Sequence, residues 1–556
     1  MNPASTEMPS GLSRVMNLGN LLDQTARKYP EHIALVQGDQ QWTWQQVNQR
    51  VNAAVTALRA MGVQPGERLL VQLKNGLPLF ESAFIAFKLG LVWVPVNFRL
   101  TPQEVAYIAS SSQASVLLTQ QEFAEHAMAA AATSPALRAQ IWTDAVPANV
   151  QAAASAHTIY SSMVHTQVPA QFQACEVDYQ HPLWFFYTSG TTGRPKAAVL
   201  THGQMAFVVT NHLADLLPGL TQYDASLVVA PLSHGAGIHA LVNVARGART
   251  VLLPGDGLDC DAAFALIEKH KVGNMFTVPT ILKRLAESDA ASRHDHSTLK
   301  HIIYAGAPMY RVDQEHALKT LGGVIVQYFG LGEVTGNITV LRTDEHSEAG
   351  GKYLPTCGTA RTGMEVAILD DACQPLAVGE QGEICTRGPA VFAGYWNNPE
   401  ANAQAFKGGW FHTGDLGVMD ARGFVTITGR SSDMYISGGS NVYPREMEEL
   451  LLTLPGVNEV AVLGVPDAQW GEVGVAIVVQ DMQVNTSSWT LDTLHQALDG
   501  KIARYKWPRH CVVWDSLPKS AYGKIAKKDI RIELLRRHPE LVMPCGLATA
   551  ALATTA

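Results

Sequence analysis

The chain has 556 residues, of which 47% are hydrophobic, and its net charge is −8 at pH 7. That length exceeds what one hydrophobic core usually holds, so we expect two or more domains. Lysine and arginine are spread along the chain instead of clustered, which excludes the broad basic surface of a nucleic-acid-binding protein.

The cysteines and the termini bear on location. Seven cysteines form no Cys-x-x-Cys pair, a pattern typical of thiols in a reducing compartment, which predicts a cytoplasmic protein. The first residues lack a basic start followed by an apolar stretch, so no secretory signal is expected. No window of about 20 residues is apolar enough to span a bilayer. Residues 1–16 should form a disordered lead and residues 541–556 a flexible tail.

The first predicted elements alternate between helices and strands, which is typical of a doubly wound α/β protein. Thr43 is a candidate N-cap for the second helix. A stretch rich in Ala, Ser and Thr at residues 124–157 predicts surface helices and loops without a functional role. Apolar spacing predicts helices at residues 21–29, 44–61 and 80–89 and a strand at residues 68–73.

A loop suited to a polyphosphate follows a predicted buried strand at residues 183–187. Its sequence, YTSGTTGRPK at residues 187–196, combines two glycines, four Ser or Thr hydroxyls and two cations. Glycines allow backbone N–H groups to point at anionic oxygens, while the hydroxyls and Lys196 add further donors. The Walker A spacing is absent, which disfavours P-loop kinases. The candidate nucleotide-binding residues here are Thr188, Ser189, Gly190, Thr191, Thr192, Gly193 and Lys196.

This string resembles the phosphate-loop signature of the adenylate-forming superfamily of acyl-CoA synthetases, luciferases and peptide-synthetase adenylation domains. The resemblance implies an α/β fold with a large N-terminal domain of several doubly wound subdomains, at residues 17–431. It also implies a small, mobile α+β C-terminal domain at residues 432–540. The implied function is an AMP-forming carboxylic acid–CoA ligase that uses ATP, Mg²⁺ and CoA.

Two short motifs in the middle of the chain acquire roles from the resemblance. A predicted strand at residues 228–234 ends in Pro-Leu-Ser-His, and His234 is implied to lie beside the carboxylate and adenylate. A second predicted strand at residues 301–305 runs into Gly306, Ala307 and Pro308, which the family places against the base and the acyl group.

A third strand is predicted before Phe329-Gly330-Leu331-Gly332-Glu333. The family pattern is Tyr-Gly-x-Thr-Glu, which implies that Phe329 and Gly330 lie at the adenine and that Glu333 binds magnesium. Gly332 departs from the pattern because it has no hydroxyl. We expect Thr335 or a backbone N–H group to supply the missing phosphate hydrogen bond.

Further family-like residues lie on either side of the predicted domain boundary. Asp415, after a predicted strand and a Thr-Gly turn, is implied to bind the ribose hydroxyls, with Arg430 as a nearby cation. Ser432 occupies the hinge position, where relatives carry Asp or Lys. Gly438 and Gly439 are implied to line the pantetheine tunnel.

The C-terminal domain is predicted to have a helix from Pro444 and strands at residues 460–465, 474–479 and 510–514. Trp470 is a candidate CoA contact, as is the cluster of Tyr505, Lys506 and Arg509.

Lys524 matches the lysine that family members place between the substrate carboxylate and the α-phosphate, where an ammonium offsets the repulsion of two anions. Two half-reactions are implied, adenylation and then thioester formation. Between them the C-terminal domain should rotate about Ser432.

Other functions share most of these motifs. The alternatives are a stand-alone adenylation enzyme that feeds a carrier protein, a luciferase-like oxygenase and a non-catalytic nucleotide-binding protein. The implied partners are a carboxylic acid, ATP and CoA, and a homodimer is possible on general frequency. The acid itself is predicted only as fatty, aryl or short branched, because the implied pocket loops are small and mostly apolar.

Overall fold

The computed structural model describes residues 16–541, except residues 149, 151–155, 170–171, 189–193, 308, 348–352, 482–488 and 521–524. Apart from Met16 and Leu541, the predicted lead and tail therefore lie outside the described residues. The chain divides into two compact units. Unit 1 comprises Met1–Phe276, Gly332–Thr335 and Pro389–Asn402, and unit 2 comprises Thr277–Leu331, Gly336–Gly388 and Ala403–Ala556. This division into compact units does not test the expected domain boundary at residues 431/432, which stays a prediction.

The first half of the chain alternates helices with short strands. The helices are α1 (Asn20–Lys28), α2 (Trp44–Ala60), α3 (Leu77–Leu89), α4 (Pro102–Ser112), α5 (Ala124–Thr133), α6 (Tyr160–Met163), α7 (His202–Asp215), α8 (Gly235–Arg246) and α9 (Cys260–His270). The strands are β1 (Ile33–Gln37), β2 (Gln40–Thr43), β3 (Arg68–Gln72), β4 (Val92–Pro95), β5 (Val116–Thr119), β6 (Ala139–Trp142), β7 (Ala156–Ile159), β8 (Pro182–Thr188), β9 (Lys196–Thr201), β10 (Ala225–Val228), β11 (Arg249–Leu252) and β12 (Asn274–Thr277).

Two largely parallel arrays of strands form the framework of unit 1. One sheet has the order β7-β6-β5-β3-β4-β8-β9, in which only β9 runs antiparallel to its neighbour. The second array has the order β12-β10-β11-β1-β2, with β2 antiparallel to β1. Parallel strands connected by helices are the hallmark of α/β folds, so the predicted fold class is confirmed.

Local signals placed several elements of unit 1 correctly. Thr43 caps α2 as predicted, and its side chain and that of Gln46 satisfy each other's backbone N–H groups in a capping box. The prediction of surface structure for residues 124–157 is wrong in part. That stretch contains β6 and the first two residues of β7, and Trp142 is fully buried in the core of the first sheet. Alanine-rich composition concealed this strand because small residues pack in cores as readily as they lie on surfaces.

The remaining elements follow residue 276. The helices are α10 (Pro279–Glu287), α11 (Ala290–Arg293), α12 (Arg311–Leu321), α13 (Thr343–Ser347), α14 (Pro399–Ala405), α15 (Pro444–Leu452), α16 (Leu491–Leu498) and α17 (Lys527–Arg537). The strands are β13 (His301–Tyr304), β14 (Ile325–Phe329), β15 (Thr339–Leu341), β16 (Thr359–Ala360), β17 (Glu365–Leu369), β18 (Gly382–Arg387), β19 (Phe411–Met419), β20 (Val425–Arg430), β21 (Tyr435–Ser437), β22 (Ser440–Val442), β23 (Val457–Asp467), β24 (Gly471–Gln480) and β25 (His510–Trp514). In the part of the chain that the structure describes, no helix is long and apolar enough to cross a bilayer.

Unit 2 contains three groups of strands. β13 to β16 lie side by side in chain order, and β17 to β20 form an antiparallel sheet, also in chain order. The last sheet has the order β22-β21-β24-β23, with β25 parallel to β24. Successive residues of β23 point to opposite faces, and both faces are buried: Val460 and Val462 pack with α15 and α16, whereas Ala461 and Leu463 pack with α17. The predicted α+β character of this region is confirmed.

Candidate active site

The predicted phosphate loop connects the two strands of a hairpin. Thr188 ends β8, Lys196 begins β9, and the two residues are paired across the antiparallel ladder. The structure thus places the first and last predicted residues of the loop opposite each other. The residues between them that were predicted to bind phosphate, namely Ser189, Gly190, Thr191, Thr192 and Gly193, lie outside the described residues.

Glu333 lies in unit 1 with both of these residues, in a single turn of 3₁₀ helix, Gly332–Val334. Its Oε1 accepts hydrogen bonds from the Thr188 hydroxyl and the Tyr395 phenol, each at 2.9 Å. The Tyr395 ring also lies under the Lys196 ammonium, 5.2 Å from Nζ to the ring centroid. Glu333 and Tyr395 therefore connect Thr188 and Lys196 into one cluster.

The second carboxylate oxygen of Glu333 is different. The residue is only 4% exposed, and among the described residues no donor reaches its buried Oε2. Burial, and then the Glu333 carboxylate, raise the pKa of Tyr395, so this phenol stays a donor. A buried anionic oxygen without a donor is costly unless a cation contacts it. This oxygen is therefore positioned to hold a hard cation.

The absence of a side chain at Gly332 has a packing reason. A Cβ there would lie 2.6 Å from the Phe186 ring and 2.9 Å from the Thr188 methyl group. Phe186 in turn packs against His234, with 4.3 Å between ring centroids. Gly332 therefore leaves room for an aromatic contact that supports His234. Sequence reasoning noted the missing hydroxyl but not the ring that occupies its place.

His234 is the N-cap residue of α8. The strand predicted at residues 228–234 is wrong, because β10 ends at Val228. The chain then turns at Pro231, whose carbonyl accepts the His234 N–H group at 3.1 Å, and a proline cannot donate to a strand ladder.

Thr335 was one of the two groups expected to replace the phosphate hydrogen bond that Gly332 cannot make. Its buried hydroxyl donates to the Val334 carbonyl at 2.7 Å.

In unit 2, Asp415 and Arg430 face each other on neighbouring strands. They are paired across β19 and β20, and the Arg430 Nε donates to Asp415 Oδ1 at 2.7 Å. Asp415 does not follow a strand and a turn, as predicted, but lies within β19, just after Gly414 at a left-handed φ of 73°. Burial raises the pKa of Asp415, and Arg430 opposes this rise. The pair is a charge-compensated carboxylate on a rigid strand.

Three of the predicted CoA-contacting residues, Gly438, Trp470 and Arg509, meet in unit 2. The Gly438 N–H group donates to the Trp470 carbonyl at 2.9 Å, and a Cβ at Gly438 would lie 2.7 Å from the indole ring. The Arg509 guanidinium lies over the same indole ring, 4.6 Å from the Trp470 ring centroid. Gly439 has a φ of 79°. The two glycines therefore permit a tight turn against Trp470.

The remaining predicted residues are placed separately. Phe329 ends β14 and packs, half-buried, against the core that contains Cys357 and Ile384. A Cβ at Gly330 would lie 2.6 Å from the backbone of Gly336, so this position admits no side chain. Gly306, at φ 87°, and Ala307 follow β13. Pro308 and Lys524 lie outside the described residues.

Comparison with known proteins adds to this geometry. The chain matches the family described as AMP-binding enzyme over residues 22–396, and the AMP-binding enzyme C-terminal domain over residues 446–524. It is 34% identical to a feruloyl-CoA synthase from Amycolatopsis sp, with 93% of this chain and 99% of the relative covered. It is 31% identical to an indoleacetate–CoA ligase from Aromatoleum aromaticum, with 94% and 99% covered.

A solved structure is similar over the same length. The anthranilate CoA ligase AuaEII, in complex with anthranoyl-AMP, superposes with a TM-score of 0.83 at 27% identity, covering 95% of this chain and 99% of that one.

Proposed function

The chain belongs to the AMP-binding enzyme family, and on that basis we propose that it is an AMP-forming carboxylic acid–CoA ligase. The reaction has two parts. A carboxylate first displaces diphosphate from ATP to give an acyl-adenylate, and the CoA thiol then displaces AMP to give the thioester. The observation that carries the proposal is the buried Glu333 carboxylate, with one oxygen available to a cation, beside Lys196 at the mouth of the phosphate loop.

Mg²⁺ belongs to the proposal because the Glu333 site fits it. Hard divalent cations on nucleotides take one or two carboxylate oxygens and complete their shell with phosphate oxygens and water. Glu333 Oε2 offers such an oxygen, while Thr188 and Tyr395 hold the carboxylate in place through Oε1. Bound there, the cation would neutralise phosphate charge. Lys196 would bind the leaving phosphates directly, while the Thr188 hydroxyl stays on the carboxylate.

The remaining assignments rest on the family motifs. We assign Lys524 to the reacting carboxylate and α-phosphate, where a cation stabilises the charge that develops in the transition state. His234, held by Phe186, would orient the acid. Asp415, compensated by Arg430, would accept the ribose hydroxyls, and Gly438, Gly439 and Trp470 would border the path of the CoA thiol.

The substrate is proposed to be an aromatic carboxylic acid first, and a fatty or short branched acid second. Support comes from the relatives, whose names specify ferulate, indoleacetate and anthranoyl groups.

A diphosphate-release assay with a panel of aromatic, fatty and short branched acids tests the proposal. Release should require both an acid and Mg²⁺, and an acyl-CoA product should appear by mass spectrometry only when CoA is added. Adenylate formation without CoA consumption would favour the carrier-protein alternative. If no acid led to the release of diphosphate or AMP, the ligase assignment would be refuted. A cytoplasmic location and a homodimer stay predictions.

A further inference from the structure

Three side chains with nitrogen, sulfur and oxygen donors converge on one face of the sheet that carries Asp415. Cys385 on β18 lies directly opposite His412 on β19 in the strand register. Glu383 lies two residues before Cys385 and so points to the same face. One donor atom from each residue lies within 4.8 Å of the other two. The sheet register, and not a local sequence motif, therefore assembles this cluster.

The hydrogen bonds of His412 give the cluster an unusual requirement. Its Nδ1 lies 2.7 Å from Glu383 Oε2, and its Nε2 lies 3.0 Å from the Lys407 carbonyl oxygen. Both partners are acceptors, but a neutral imidazole has only one N–H group to donate. A cation between Nδ1 and Glu383 would leave the single N–H group of a neutral ring for the Lys407 carbonyl.

The sulfur favours a cation. Cys385 Sγ lies 3.4 Å from the same Nδ1, so thiol, imidazole and carboxylate surround one point. An imidazolium–carboxylate pair would gain little from a thiol there. Tetrahedral zinc with bonds of about 2.0 Å to nitrogen and about 2.3 Å to sulfur separates those two atoms by about 3.5 Å, close to the spacing found. The Glu383 oxygen would have to move outward by about 0.6 Å to reach its place in such a site.

Access and chemistry agree with this interpretation. The Cys385 side chain is fully buried, whereas His412 and Glu383 are 13% and 29% exposed, so the cluster opens on its carboxylate side. A second thiol, Cys373, lies 3.8 Å from His412 Nε2 on the other edge of the ring.

We propose that Glu383, Cys385 and His412 form a binding site for a thiophilic divalent cation of the zinc type, separate from the Glu333 site. Imidazole and thiolate ligands select such ions over magnesium. The site is connected to the proposed ribose-binding residue Asp415 through one hydrogen bond. Glu383 Oε1 also accepts the N–H group of Gly414, the residue before Asp415, at 2.8 Å. An ion that draws Glu383 outward would loosen that turn.

Cobalt is the probe that tests this site, because a Co²⁺–thiolate bond absorbs in the near ultraviolet and tetrahedral Co²⁺ absorbs in the visible range. Co²⁺ is titrated into the full-length protein in reducing, chelator-treated buffer. We expect one equivalent to produce both bands and one equivalent of Zn²⁺ to remove them. X-ray absorption of the zinc form should show one sulfur at about 2.3 Å and nitrogen or oxygen neighbours at about 2.0 Å.

Variants assign the ligands. Loss of a supporting group near a metal costs about 10–100-fold in affinity, so Cys385→Ser or His412→Ala, which remove a ligand, should weaken Co²⁺ binding by more than about 100-fold. Cys511→Ser, which removes a half-buried thiol on β25, should not change it. Cys373→Ser shows whether the second thiol is a ligand.

Two outcomes overturn the proposal: no thiolate band in the folded parent protein, or a band that persists in Cys385→Ser. Should Cys385→Ser fail to fold by circular dichroism, Glu383→Gln serves in its place. It keeps the size of the side chain, and an undiminished Co²⁺ affinity in this variant would count against the three-residue site.

Discussion

Replacing Glu333 by glutamine tests the central assignment with little disturbance of the fold. The glutamine Oε1 can still accept from the Thr188 and Tyr395 hydroxyls, which now lie 2.9 Å from Glu333 Oε1. Only the buried second oxygen, which lacks a donor among the described residues, is exchanged for an NH₂ group. The substitution therefore removes the carboxylate and the proposed cation contact and leaves the two hydrogen bonds in place.

The size of the effect follows from that lost contact. Even with water between carboxylate and cation, at about 4 Å and an effective dielectric constant of about 20, a magnesium ion whose charge the phosphates reduce to one net unit contributes about 4 kcal/mol. At about 1.4 kcal/mol per factor of ten, this corresponds to roughly a thousandfold loss in kcat/KM for MgATP. The folded protein should be no less stable, because the glutamine removes a buried charge whose second oxygen has no described donor.

Diphosphate release, measured against Mg²⁺ concentration with the acid that the parent uses best, checks this expectation. Glu81→Gln is the matched control, because Glu81 is equally buried but pairs with Arg50 and Tyr160. That control should lower the free energy of unfolding and keep the Mg²⁺ dependence. A Glu333→Gln enzyme within fivefold of the parent at every Mg²⁺ concentration would refute the metal role of Glu333.

Three further predictions follow. Lys524→Ala should abolish most adenylate formation yet spare thioester formation from supplied acyl-adenylate, with Lys519→Ala as the surface control; equal loss in both half-reactions would contradict the alternation of two states. Gly332→Thr should displace Phe186 without restoring a phosphate contact, and it should lower stability by about 1–3 kcal/mol and lower activity as well. The control Gly257→Thr, at a position with open space around it, should be neutral. A Gly332→Thr enzyme more active than the parent would show that the Phe186 ring is not important. The buried His202 accepts the Leu18 N–H group at 3.0 Å through Nδ1, and burial, with His181 nearby, lowers its pKa to about 3. In the unfolded chain the pKa of this histidine is about 6.5, so the folded state loses stability as the pH falls below that value. Between pH 6.5 and 5 the free energy of unfolding, measured in urea, should fall by about 2 kcal/mol more in the parent than in His202→Asn. An equal fall in both proteins would argue against a neutral buried imidazole.

Elements with local signals could be predicted from the sequence. The Thr43 cap, the helix that begins at Pro444 and the strand at residues 510–514 all depend on neighbouring residues, and the structure has each where expected. The strand predicted across Pro231 is wrong because a proline has no N–H group for the ladder, although the composition of the segment is apolar. Composition also concealed the buried strand at Trp142.

The side chains around Glu333 could not be predicted in the same way. Tyr395 donates to a carboxylate 62 positions away, and Phe186 meets Gly332 from a strand much earlier in the chain. The pairing of Cys385 with His412 depends on the register of two strands, which a one-residue shift would abolish. A family motif identifies Glu333 as important, but only the folded chain shows what holds its carboxylate.

Unit 1 is built from three separate stretches, and two of them are short returns of the chain that bring in Glu333 and Tyr395. A gene fragment that stops at codon 276 would therefore encode the hairpin of the phosphate loop without the Glu333 carboxylate and the Tyr395 phenol that contact it. Hybrid enzymes made by exchanging contiguous blocks face the same problem, since a crossover between positions 276 and 389 combines a hairpin from one parent with a Tyr395 from the other. Recombination should be tolerated best when all three stretches are inherited together.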